Sequence, residues 1–282
     1  MRLANRGGRA WLVDEAGRGV DLASASGGRF GPDPMAALAD FDALRDWAGC
    51  AQPAAGEAVE LRALGPCVPR PRTVFAIGLN YQDHAAEAKL LLPKAPMVFT
   101  KFPSCLAGPT SDIVLSSNRV DFEAELVVVI GRAACAVPAS RALEHVAGFC
   151  VGQDVSDRRL QFQGRPPQFS LGKSLAGFGP IGPWLTTLDQ LRDPLDLAIS
   201  CWIDGAPVQA SRTREMIFDV SELVAYLSRH CALEPGDLIF TGTPAGVGSV
   251  REPPRYLAAG ELVETEIEGL GRLANRCVAA PA

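Results

Sequence analysis

The feature that most constrains this chain is the run Val120-Asp-Phe-Glu-Ala-Glu-Leu-Val-Val-Val-Ile130. Side chains alternate across a strand, so Asp121, Glu123 and Glu125 fall on one face and Phe122, Ala124 and Leu126 on the other. Beyond Leu126 the run is wholly apolar, which implies burial on both faces. Three carboxylates at the mouth of a buried strand repel one another and lose hydration. A divalent cation relieves both problems, and an all-carboxylate set suits a hard ion, Mg²⁺, Mn²⁺ or Ca²⁺. A strand leaving solvent with its acids on a wet face also fits this segment.

The segment Gly148-Phe-Cys-Val-Gly-Gln-Asp154 bears on that choice, because it is an apolar strand ending in a polar cluster. Asp154 offers a further carboxylate that could complete a facial ligand set. The alternative is that Asp154 or Asp157 caps a turn or pairs with Arg158 or Arg159.

The rest of the chain reads as a β-rich α+β protein. Residues 10–22 suggest two short strands around an Asp-Glu-Ala-Gly turn, and residues 34–48 a helix with Asp33 as its N-cap. Pro66, Pro69 and Pro71 make a stiff connection, which places the boundary between a small N-terminal domain, 1–68, and a larger domain, 69–282. Further strands are expected at 74–77, 96–100, 122–130, 148–155, 197–203, 238–241, 262–267 and 272–278, with helices at 139–147 and 220–231.

Other residue groups invite chemistry. His84 and Glu87 lie three apart; on one helical turn the carboxylate would fix the imidazole tautomer and raise its basicity. Only three histidines exist, and His145 and His230 fall in expected amphipathic helices as structural residues. Residues 88–96 read either as a lid or as a loop packing Leu90 to Leu92. Lysine is rare, at 89, 94, 101 and 173. Lys101 and Lys173 follow apolar or glycine-bearing segments, where an ammonium could bind a carboxylate or stabilise an enolate, or simply face solvent. The turn Phe240-Thr-Gly-Thr-Pro-Ala-Gly-Val-Gly248 offers N–H groups and hydroxyls to an anionic group, without the lysine and spacing of a phosphate-binding loop.

Bulk properties narrow the setting. The 282 residues carry a net charge of −5 with acids and bases intermixed, so neither nucleic acid nor an anionic membrane is an expected partner. No stretch approaches the roughly 20 apolar residues of a membrane helix, and the N-terminus does not read as a signal peptide. Eight scattered cysteines without a Cys-x-x-Cys pair read as reduced thiols, and a cytoplasmic location is expected.

The stretches GLNYQDHAAEA, MVFTKFP, VDFEAELVVVIG, GQDVSDRRLQ, FSLGKSLAGFGPIGPWL and LIFTGTPAGVG, in this order, closely resemble the fumarylacetoacetate hydrolase family. The resemblance implies a mixed β-sheet roll, a variable N-terminal domain and a homodimer. It also implies Glu123, Glu125 and Asp154 as ligands of Mg²⁺ or Mn²⁺, with Ca²⁺ an alternative. His84, Glu87 and Lys173 match the catalytic positions; Asn80, Tyr81, Lys101, Gln161 and Thr243 are substrate-binding candidates. The chain departs from many relatives at Asp157-Arg158-Arg159, where they carry Ala-Arg-Asp. The expected activity is hydrolysis of a carbon–carbon bond in a 1,3-dicarbonyl 2-oxo acid of the acylpyruvate type, through an enolate stabilised by the metal. Isomerisation or decarboxylation of ring-cleavage products is the alternative within the family. A non-catalytic metal-dependent binder of 2-oxo acids is the alternative of another class.

Overall fold

A computed structural model describes residues 1–50 and 56–281. Its frame is an eleven-stranded mixed sheet. The strand Ala124–Ile130 lies inside it, antiparallel to both Val146–Gln153 and Leu238–Phe240. Every residue of Ala124–Ile130 and Val146–Gln153 is buried, as the unbroken apolar patterning requires. Leu238–Phe240 then pairs in parallel with Val74–Gly78, and Met97–Lys101 closes that edge. On the other side Gly179–Thr186 pairs with the N-terminal strand Arg2–Arg6. The N-terminal strands thus extend the same sheet, and Leu3, Leu22, Leu38 and Phe41 share a core with Val127, Val129, Ile181 and Phe240.

The opposite face of the central strands packs on a second, five-stranded sheet. It runs Ala206–Arg212, Ala198–Ile203, Leu262–Ile267, Gly271–Ala279 and Ile113–Leu115. Phe122, Leu126, Val128 and Phe149 meet Ile199, Cys201, Val263 and Leu273 in one cluster. This mixed, sheet-rich α+β architecture is the fold class expected from sequence.

Several local expectations change in detail. The helix at 34–48 is two helices, Pro34–Ala39 and Phe41–Cys50, and Asp33 caps the first by accepting from Met35 N–H. The segment Ala139–His145 is a 3₁₀ helix. The long helix is Val220–His230, and its cap is Asp219, which forms a reciprocal capping box with Glu222. The three leucines at 90–92 do not pack as a loop core: they are 56%, 92% and 57% exposed. Among the described residues no helix is long and apolar enough to cross a membrane.

One correction bears on the site. Phe122 to Ile130 is not one continuous strand, because the ladder stops at Ala124. The N–H groups of Glu123 and Ala124 go instead to side-chain amides, those of Gln153 at 2.7 Å and Gln209 at 2.9 Å. Upstream, Val120–Asp121 forms a separate two-residue ladder with Ser156–Asp157. Asp121 therefore stands apart from the group formed by Glu123, Glu125 and Asp154, joined to Glu123 through Arg158.

Candidate metal centre

Glu125 projects from the buried strand where it pairs with Gly152. Glu123 sits in the interruption just before it. Asp154 follows the neighbouring strand, and its N–H donates to the Glu123 carbonyl at 2.9 Å. These two chain ends bring one oxygen from each carboxylate within 4.8 Å of the others.

Three cations surround the acids. Lys173 Nζ donates to Glu123 Oε2 and Asp154 Oδ2, both at 2.7 Å. Arg158 donates to Asp121 Oδ2 at 2.9 Å, Glu123 Oε1 at 2.6 Å and Gln161 Oε1 at 2.7 Å. Lys101 Nζ donates to Asp154 Oδ1 at 2.6 Å and to the carbonyls of Lys173 and Phe178. With its three protons spent inside the protein, Lys101 positions Asp154 and has no donor left for a substrate. That corrects its expected place among the substrate-binding residues.

The electrostatics separate the acids. Burial pushes the Glu123 carboxyl up, but Lys173 and Arg158 outweigh it and hold the group below its ordinary value. Glu125 is pushed well above its ordinary value, first by burial and then by the charges of Asp154 and Glu123. Among the described residues its one protein donor is Gly242 N–H, at 2.9 Å from Oε2. Burial lowers Lys173, yet Asp154 and Glu123 more than compensate and keep it an ammonium. Four buried carboxylates, Asp121 included, thus face three buried cations, and a proton on Glu125 would neutralise the cluster. A divalent cation in place of that proton would leave one positive charge for an anionic ligand. Among the described residues the buried Tyr81 hydroxyl has no hydrogen-bond partner; burial first, and then the charge of Glu125, oppose its ionisation. A carboxyl left uncompensated beside two other buried carboxylates is what a hard cation would satisfy, so the residues fit Mg²⁺ or Mn²⁺.

The turn at 240–248 differs from expectation in an instructive way. Its N–H groups receive the protein's own carboxylates rather than standing free. Gly242 donates to Glu125, Gly246 to both oxygens of Glu87 at 3.1 and 3.0 Å, and Gly248 to Asp121 at 2.8 Å. Gly242 and Gly246 adopt φ of +95° and +105°, and a Cβ on Gly246 would strike the Val208 carbonyl. Only glycine suits such positions.

That turn also anchors the helix Gln82–Glu87. Asp83 accepts from Ala245 N–H at 3.3 Å and from the Ser211 hydroxyl at 2.8 Å. His84 Nδ1 lies 3.4 Å from Glu87 Oε2. Asn80 is consumed structurally, donating to the Phe218 and Thr241 carbonyls and accepting from Phe218 N–H, so it too is corrected from a substrate contact to a scaffold residue.

The resulting cavity, about 240 Å³, is lined by Glu123, Lys173, Arg158, Gln161, His84 and Thr243 together with an apolar wall. Of the substrate candidates, Gln161 and Thr243 reach it. Asp121, Asp83 and Arg158 complete the hydrogen-bond network around the site. Sequence reasoning leaves these roles open: Asp121 stands there only as a carboxylate of the acidic run, and Arg158 only as a partner of Asp154 or Asp157. Asp157 in fact caps the helix Arg158–Gln161, accepting from the N–H groups of Arg159 and Leu160. His145 and His230 lie outside the cavity, the first bound to the Ala133 carbonyl and the second stacked near Tyr226.

Comparison with known proteins gives the family. Residues 73–278 match the family model described as fumarylacetoacetate (FAA) hydrolase C-terminal. A fumarylacetoacetate hydrolase domain-containing protein 2 homolog of Dictyostelium discoideum is 46% identical over 216 residues, covering 73% of this chain and 71% of that protein. A mitochondrial oxaloacetate tautomerase of Bos taurus is 44% identical over 221 residues, covering 78% and 70%. Among solved structures, a Mycobacterium smegmatis protein with the provisional name HpcE superposes with a TM-score of 0.94 at 51% identity, over 100% of both chains. Maleylpyruvate hydrolase from Sphingobium sp. SYK-6, in complex with manganese(II) ion and pyruvate, gives 0.82 at 28% identity, again over 100% of both. With the family model covering most of its length and these relatives matching over two thirds or more of theirs, the chain belongs to the fumarylacetoacetate hydrolase family.

Proposed function

We propose that this protein is a divalent-metal-dependent enzyme that hydrolyses a carbon–carbon bond in acylpyruvate-type 2-oxo acids. The observation that carries this reading is the convergence on one cavity of His84, paired with Glu87, and of Glu123 and Lys173. A base and a cation-rich carboxylate cluster face the same small volume. The manganese and pyruvate held by the maleylpyruvate hydrolase relative support both the metal class and the 2-oxo acid.

Mg²⁺ or Mn²⁺, held by Glu123, Glu125 and Asp154, would supply Lewis acidity toward the carboxylate and 2-oxo oxygens of the substrate. Glu87, fixed by Gly246 N–H, orients the His84 ring, and His84 takes a proton from water as the water oxygen attacks the distal carbonyl. The bond between that carbonyl and C3 then breaks, and its electron pair passes to C3 as an enolate of pyruvate. Lys173 offsets the developing negative charge. Protonation at C3 yields pyruvate and the free acid.

A second reading follows from the oxaloacetate tautomerase relative. There His84 would move a proton between the 2-oxygen and C3 of the substrate rather than take one from water, delivering it to C3 as the enol becomes the keto form, and no bond between carbons would break. A panel of acylpyruvates and enol-oxaloacetate, assayed with Mg²⁺ and with Mn²⁺, separates the two. Hydrolysis with pyruvate release, reduced about 10²- to 10⁴-fold in His84→Ala, is the expected result. Hydrolysis by the variant at the wild-type rate would overturn the water-activating role. Tautomerisation without hydrolysis selects the second reading, and binding without turnover of either kind indicates a metal-dependent binder.

A homodimer is the assembly we propose for solution. The edge strand Met97–Lys101 exposes Val98, and Phe102 and Leu171 are 48% and 65% exposed; covering such groups favours association. Sedimentation at micromolar concentration tests it.

A further inference from the structure

The cavity's walls differ sharply in chemistry, and the difference bears on the substrate. Its polar part holds Glu123, Lys173, Arg158 and Gln161; its remaining lining is largely apolar, including Leu90, Met97, Phe99, Phe162 and Phe169. The two parts join at Phe99, whose ring centroid lies 5.5 Å from Lys173 Nζ. Phe169 meets Phe99 edge-on, with centroids 5.4 Å apart at 71°. Met97 continues the wall over Gly78: a Cβ on Gly78 would collide with the Met97 methyl and stand 3.6 Å from the Phe169 ring.

The permanently charged cations of the lining are Arg158 and Lys173, both committed to the carboxylate cluster, and His84, also in the lining, is paired with Glu87. Among the described residues, no cation lines the apolar wall. A 2-oxo acid seated with its carboxylate toward the cluster would extend its far end along Phe99, Phe169 and Met97. A second carboxylate there would lose hydration without gaining a partner, whereas an alkyl or aryl group would gain by leaving water.

We propose that the site selects 2-oxo acids whose distal substituent is an uncharged alkyl or aryl group, and discriminates against those ending in a second carboxylate, with Met97, Phe99 and Phe169 as the selecting residues. The inference rests on the 2-oxo acid reading above, but not on which reaction follows binding. It also separates the readings in size: a four-carbon dicarboxylate would leave this wall unused.

The test uses the metal-loaded full chain and two ligands of equal length, 2-oxohexanoate and 2-oxohexanedioate, with phenylpyruvate as an aryl probe. Calorimetric titration is expected to give tighter binding of 2-oxohexanoate and phenylpyruvate than of the dioate, by at least about 30-fold. Met97 is 43% exposed, so Met97→Arg should fold, and it is expected to narrow or reverse the preference. Equal or tighter binding of the dioate by the wild-type protein would overturn the proposal. So would an unchanged preference in Met97→Arg as far as the role of that residue is concerned. If no 2-oxo acid binds while Mn²⁺ does, both this inference and the reading beneath it are wrong. If binding shows the preference but no acylpyruvate turns over, only the proposed reaction is wrong.

Discussion

At the scale of single residues, Glu125 and Lys101 show how burial sets chemistry. Glu125 is raised well above the usual carboxylate range by burial and two neighbouring acids. In the metal-free protein its carboxyl thus holds a proton at pH values where an exposed glutamate has lost it. A cation that requires the ionised form must displace that proton, so affinity rises with pH until the raised value is passed. Mn²⁺ titration in buffers of differing ionisation enthalpy is expected to show proton release, with affinity increasing up to about tenfold per pH unit below that point. The same sign applies to stability: keeping Glu125 ionised costs the metal-free fold, so metal-free stability falls as pH rises through the range between the ordinary and raised values. Glu125→Gln should then lower Mn²⁺ affinity by about 100-fold or more while leaving the metal-free melting temperature unchanged or higher. A variant with full affinity would remove Glu125 from the ligand set. Lys101 is the converse case. Lys101→Met leaves Asp154 buried without that partner, an expected loss of about 3–5 kcal/mol, measurable by chemical denaturation.

At the scale of elements, the turn 240–248 is what organises the site. Three of its glycine N–H groups hold carboxylates from three different segments: Glu125 on the central strand, Glu87 on the helix Gln82–Glu87 and Asp121 on the short ladder. Its conformation depends on glycine at positive φ. Gly246→Ala forces a Cβ into the Val208 carbonyl and a backbone region costing about 1–3 kcal/mol. The expected outcome is a lower melting temperature together with activity reduced beyond what that loss explains, because Glu87 loses its anchor. Wild-type activity in the variant would show that Glu87 needs no such support. This element also marks where pattern reading stopped. The glycine-rich sequence shows that N–H groups are presented; it does not show to what, because their partners lie more than 100 residues away in the chain. Asp121 was misplaced for a related reason. Strict alternation assumes an unbroken strand, and the break at Glu123 depends on amides from Gln153 and Gln209.

At the scale of the whole molecule, the N-terminal segment and the central sheet share hydrogen bonds and core. Arg2–Arg6 pairs with Gly179–Thr186, and Leu3, Leu22 and Phe41 cover Val127, Val129 and Phe240. A chain beginning at residue 69 is expected to bind the apolar dye ANS and lose its cooperative transition, since it exposes that face of the sheet; cooperative melting near the full-chain temperature would show that the second domain folds alone. The proline-rich connection announces a covalent boundary but not this packing. What the sequence determined by itself was local or periodic: the doubly buried strand, the Asp33 cap, the strands at 262–267 and 272–278, and the residue types that family resemblance made recognisable. What only the tertiary structure decided was which charged groups are spent on one another. Lys101, Asn80 and Asp121 are polar residues in suggestive motifs, yet burial obliges each to satisfy its hydrogen bonds within the protein. Gln161, Thr243, Lys173 and His84 keep faces toward the cavity. That division follows from three-dimensional neighbours, and periodicity along the chain carries no information about them.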